Sequence, residues 1–121
     1  MKEASMGYKS ADNYGTSMFR VFRTDWYEKK LKKLTFEEQE RIKNIEQELK
    51  KSPYDGKPLV YAFLREKKFD GKRLLFLVYE NHKAIFLITI TDKKAQQKVI
   101  DMIKVNLDVY RELLEKILKS L

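Results

Sequence analysis

The chain has 121 residues, enough for one domain with one core, and a formal net charge of +8. It has no cysteine and a single histidine, His82, which excludes disulfide frameworks, thiolate metal sites and a His-based zinc site and suits an intracellular setting. No apolar run approaches the ~20 residues of a membrane span, and the polar N-terminus has no signal-peptide core, so a soluble cytoplasmic protein without a membrane partner is expected.

The excess charge is unevenly placed. Residues 57–94 hold nine Lys/Arg against four acids, whereas residues 25–51 hold eight bases and seven acids, which nearly cancel. The surplus therefore belongs to the strand-like segment, and the helical segment reads as an ordinary solvated surface. An anionic partner, RNA ahead of DNA or a membrane, fits that distribution. A generally lysine-rich surface fits it equally well.

Residues 1–17 are small, polar and aperiodic and read as a disordered tail, leaving one domain over 18–121 with 95–121 as a C-terminal helical extension. Met18 to Arg23 alternates with period two, as a strand with one buried face does. Thr24 can cap a helix through DWYEKKLKKL, and Thr35 opens a second as the first residue of a capping box with Glu38. Phe36, Ile42, Ile45 and Leu49 share a face of that helix, which Ser52-Pro53 ends. Leu59 to Phe69 reads as a strand that turns basic halfway. Asp70-Gly71 is a tight hairpin signal leading into a strand from Lys72 to Glu80. Asn81-His82 turns into a last strand, Lys83 to Thr91, apolar on both faces as a doubly covered strand would be.

From Asp92 the pattern is helical. Ile100, Ile103, Leu107, Tyr110, Leu114, Ile117 and Leu121 recur at steps of three and four. Such a stripe either covers the domain's own sheet or offers a groove to a partner, a homodimer through this helix included. The expected fold is α+β, in the order βααβββα, with an antiparallel sheet, a helical hairpin and a long C-terminal helix.

No Gly-rich phosphate loop, nucleophile elbow or zinc spacing occurs. His82 reads as a solvated turn residue. Glu66, the one acid inside the basic strand, has a local ion pair as its default role and a general base as its minority role. The basic residues divide by period two: Lys68 shares a face with Glu66 and Leu64, while Arg65 and Lys67 share the other. Arg73 opens an apolar strand, where a charge needs an open edge or a function. Lysines at strand ends also discourage edge-to-edge pairing, and the charge pattern alone favours that reading.

The segments FRVFRTDWYEKKLKKL, SPYDGKPL, LREKKFDGKRLLFLVYE and AIFLITITDKKAQQ, taken together, resemble the RelE/ParE superfamily of toxin–antitoxin toxins over roughly Phe19 to Lys98. The resemblance implies the toxin of a type II system, a metal-independent endoribonuclease (mRNA interferase) with no cofactor. Such a toxin inhibits translation by cleaving ribosome-bound mRNA through attack of a ribose 2′-OH on the adjacent phosphate. It implies a cognate antitoxin, the ribosome and mRNA as partners. By position, Arg73 would clamp the phosphate, with Lys68 and Lys94 as further catalytic cations and Arg65, Lys67, Lys72 and Lys93 as RNA-binding residues. The chain departs from the active members where they place a tyrosine or histidine after the basic pair; here Val99-Ile100 stand there. The second strand lysine of the best-known member aligns near Leu64, and Lys94 replaces the usual arginine. ParE-type members share the fold and act by binding gyrase, so a binding-only relative is the alternative.

Overall fold

A computed structural model describes residues 18–121; the tail expected over 1–17 lies outside the described residues. The alternation at the start forms strand β1 (Arg20–Arg23), which ends where the Thr24 side chain accepts from the Tyr27 N–H and opens α1 (Asp25–Lys32). Thr35 opens α2 (Phe36–Lys51) through the expected capping box, with the Glu38 carboxylate accepting from the Thr35 N–H. Ile42, Ile45 and Leu49 are buried, but Phe36 is 77% exposed because it precedes the turns of α2 that meet the sheet. Where α1, α2 and β1 meet, the buried Tyr27 hydroxyl donates to Glu46 at 2.7 Å and Arg23 donates to the same carboxylate twice.

The remaining strands are β2 (Lys57–Pro58), β3 (Leu64–Phe69), β4 (Lys72–Tyr79) and β5 (Ala84–Asp92). They form a five-stranded sheet in the order β1-β5-β4-β3-β2. The fold is α+β as expected, but the sheet is not wholly antiparallel: β1 runs parallel to β5. A helical hairpin follows β1 where a tight turn would have forced an antiparallel neighbour, so the last strand is free to lie beside it. The strand expected from Leu59 is also shorter. Pro58, which has no N–H for a ladder, ends an edge strand. Residues 59–63 then form a loop closed by the Leu59 N–H on the Leu64 carbonyl. The apolar Val60, Tyr61 and Phe63 imitated a strand and are exposed.

Asp70 and Gly71 both have positive φ, 47° and 76°, the geometry of a type I′ hairpin turn. That turn sets the β3–β4 register, placing Lys68 opposite Arg73 and Glu66 opposite Leu75. The next connection is a 3₁₀ turn, Glu80–His82, closed by Lys83 at φ 48°. A bulge between Leu75 and Phe76 in the β4–β5 register pairs Leu75 with Thr89 and Phe76 with Leu87.

Strand β5 is buried from Ala84 to Thr91 because helices cover both faces of the sheet. One layer packs α1 and α2 on Leu74, Phe76, Ile85 and Leu87. The other packs the C-terminal helices on Leu75, Leu77, Phe86 and Ile88. The single long helix expected here is broken. Asn106 separates α3 (Gln96–Val105) from α4 (Leu107–Lys119), its side-chain amide donating to the Met102 carbonyl. The stripe nonetheless continues across the break: Ile103 and Leu114 are buried, and Leu107, Tyr110 and Ile117 pack half-buried on the domain's own sheet. Among the described residues no helix is long and apolar enough to cross a membrane.

Gly56 packs against the backbone of β3. A Cβ there would collide with the Glu66 carbonyl and press on the Phe76 ring. Gly56→Ala should therefore lower stability by about 1–3 kcal/mol, read as a shifted urea midpoint at unchanged slope.

Candidate functional site

The two faces of the basic hairpin have different fates. Arg65, Lys67 and Lys72 point to the α1–α2 side, where each has a partner. The Arg65 guanidinium is buried, donating to the carbonyls of Ala62, Tyr54 and Gly56 and lying over the Tyr54 ring. It pins the turn after α2. Lys67 pairs with Asp55 at 2.6 Å and Lys72 with Glu38 at 2.7 Å, while Arg41 pairs with Asp70. These contacts anchor the β3–β4 turn to α2 and so hold the start of β4 in place.

The lysine partners make both carboxyls stronger acids: the hydrogen bond from Lys72 holds Glu38 below the ordinary glutamate range, and that from Lys67 holds Asp55 below the ordinary aspartate range. For carboxyls lowered by folding, the stabilisation is present above the unfolded values and disappears as pH falls through the folded ones. Urea stability should decline below pH ~4.5, and Glu38→Gln combined with Asp55→Asn should flatten that decline.

On the other face, at the end of the sheet away from His82, a row crosses three strands: Lys68 on β3, Arg73 on β4 and Thr91 on β5. Lys68 is exposed, so this end of the face is open. The Arg73 side chain is 12% exposed, with one terminal nitrogen donating to the Gly71 carbonyl at 3.1 Å. Its Nε, buried and without a hydrogen bond, lies 3.9 Å from Oε1 of Glu66. Glu66 is buried, and the same Oε1 accepts from Nε2 of Gln96, the first residue of α3. The neighbouring Thr89 hydroxyl is also buried without a partner.

Lys93 and Lys94 are exposed in the turn between β5 and α3, which Asp92 orders by accepting from the Ala95 N–H at 2.8 Å. Val99 and Ile100 pack among the side chains under α3 and carry no acid–base group. His82 lies beside Glu115 at 3.4 Å, at the opposite end of the strands.

Of the seven site residues read from the sequence, the structure thus brings Lys68 and Arg73 directly together and places Lys93 and Lys94 in one exposed turn. It sends Arg65, Lys67 and Lys72 to the other face. Two features were not foreseen. Gln96 reaches Glu66 across thirty positions of sequence, which no local pattern signals. A cleft of about 200 Å³ between α1 and the ends of β4 and β5 is lined by Lys30, Lys33 and Lys72, the first two having read as part of a solvated helix face. Chemically, the Arg73 face offers a planar, partly desolvated cation beside a lysine and a carboxylate. It can hold a phosphate and position a proton acceptor next to it.

No family model and no curated protein matches the chain. Solved structures do. A double-arginine mutant of the E. coli toxin RelE in the free state superposes with a TM-score of 0.63 at 20% identity, over 72% of this chain and 96% of that one. The RelBE2 toxin–antitoxin complex of Mycobacterium tuberculosis contains a chain matching at 0.57 and 20% identity, covering 63% and 99%. The archaeal RelE–RelB complex of Pyrococcus horikoshii gives 0.58 and 18%, covering 63% and 96%. The chain therefore has a RelE-like fold.

Proposed function

We propose that this protein is the toxin of a type II toxin–antitoxin module and acts as an mRNA interferase in the cytoplasm, cutting ribosome-bound message. The observation that carries this reading is the pairing of Arg73 with Lys68 at the open end of the sheet in a RelE-like fold. A guanidinium fork stabilises the charge that develops on a phosphorane, Lys68 adds a cation beside it, and Lys94 would add another from the turn after β5. Its neutralising partner would be an antitoxin, as RelE is bound by antitoxin in the complexes of similar fold. Primer extension on translating ribosomes tests the reading, with cuts at defined codon positions as the expected result.

A second reading has its own support. Glu66 neutralises part of the Arg73 charge, and packed aliphatic residues stand where active members carry an aromatic or histidine. In that reading the fold binds a protein target such as gyrase and cuts no RNA. Inhibited supercoiling with intact message would establish it.

A further inference from the structure

The loop over 59–63 leaves Val60, Tyr61 and Phe63 exposed within four residues, a concentration of apolar surface that marks a contact site. The loop is also held rigidly. The Leu59 N–H donates to the Leu64 carbonyl, and the Leu64 N–H donates to the Tyr61 carbonyl. The buried Arg65 guanidinium donates to the Ala62 carbonyl at 2.8 Å, so a core cation fixes the tip of a surface loop. The Tyr61 and Phe63 rings stack in parallel with centroids 4.9 Å apart. A loop ordered in this way loses little conformational entropy when something covers it.

Beside the loop lies a groove of about 270 Å³, lined by Phe63, Val78, Tyr79, Leu107 and Arg111 where the β3–β4 hairpin meets the start of α4. The projection and the groove share one surface. A two-fold pair needs that arrangement, because the loop of each copy then enters the groove of the other. Charge selects the same occupant. The chain carries +8, which sets most of its surface against a second copy. Around this groove the charges cancel in place: Glu80 pairs with Lys83, Arg111 with Asp108, and His82 lies beside Glu115. The exposed Lys68, Lys93 and Lys94 lie at the other end of the strands.

We propose that this surface is the interface of a homodimer, in which Tyr61 of each copy enters the groove of the other and its ring faces the Arg111 guanidinium. A cation over an aromatic face adds to the apolar burial. A short loop in a small groove makes a small interface, so the pair is weak and its population depends on concentration. Arg73 and Lys68, at the opposite end of the β3–β4 hairpin, stay open in both copies. The dimer therefore goes beyond the cleavage reading and does not depend on it.

The test is the mass of the full-length protein by light scattering, in a concentration series reaching ~100 µM. The mass should rise from the 14.5 kDa of one chain toward twice that value. Tyr61→Glu, at an exposed position, should stay monomeric throughout and keep the urea midpoint of the wild type. The chain has no cysteine, so the pairing is also read by mixing two single-cysteine variants, Val60→Cys and Asp108→Cys. Under oxidising conditions the mixture should give a disulfide-linked dimer in higher yield than either variant alone. A wild type that remains at 14.5 kDa throughout overturns the proposal and leaves the loop to a different protein. A dimer that survives Tyr61→Glu, or a mixture that gives no such disulfide, overturns it by placing the interface elsewhere.

Discussion

Arg73→Ala should slow single-turnover cleavage of ribosome-bound message by about 10²–10³-fold, the usual loss when one preorganised donor to a developing oxyanion is removed. The side chain is already ordered and largely desolvated by the Gly71 carbonyl and Glu66, so little reorganisation accompanies the reaction. Arg73→Lys should recover only part of the rate, because an ammonium keeps the charge and loses the planar fork. Removing the guanidinium also leaves the Glu66 carboxylate, 4% exposed, without its cation, at a cost of about 1–3 kcal/mol. The double variant Arg73→Ala/Glu66→Gln should restore most of that stability and none of the cleavage. Restored cleavage in the double variant, or an unaffected rate in Arg73→Ala, would remove the phosphate-clamp role.

Phe86→Ala should destabilise the protein by about 3–5 kcal/mol, a large part of the roughly 5–15 kcal/mol that holds a domain together. Phe86 is fully buried near the start of β5, between Phe22 on the parallel neighbour and Leu77 on β4. Its ring meets Tyr110 of α4 edge to face, with centroids 6.3 Å apart. The cavity would open under the α3–α4 pair, so amide exchange should rise first in those helices and least in α1 and α2. Guanidinium unfolding read by circular dichroism measures the first effect and hydrogen exchange the second. Uniformly raised exchange would show that the C-terminal helices are not a separable layer.

Much of this architecture follows from local chemistry and is readable in order along the chain. Thr35 and Glu38 define a helix start because their hydrogen bonds span three residues. Asp70-Gly71 defines a hairpin because these residues tolerate positive φ, and the turn then sets the register that pairs Lys68 with Arg73. Period two separates Arg65 and Lys67 from Lys68, and two apolar faces on the last strand announce helices on both sides. The stripe from Ile103 to Ile117 announced a buried helix face, though not the break at Asn106.

What depended on tertiary structure was partnership. Arg65 and Lys72 looked like free cations because the carbonyls and carboxylate that bind them lie far along the chain. The parallel placement of β1 beside β5 joins segments more than sixty residues apart, and no local signal selects it. The exposed loop over 59–63 read as strand because apolar residues mark burial only once something covers them. Glu66 changed most: beside lysines in sequence, it is in space a buried carboxylate between Arg73 and Gln96. Residue types and their spacing determine which side chains share a face; only the packing of distant segments determines which of them remain available for chemistry.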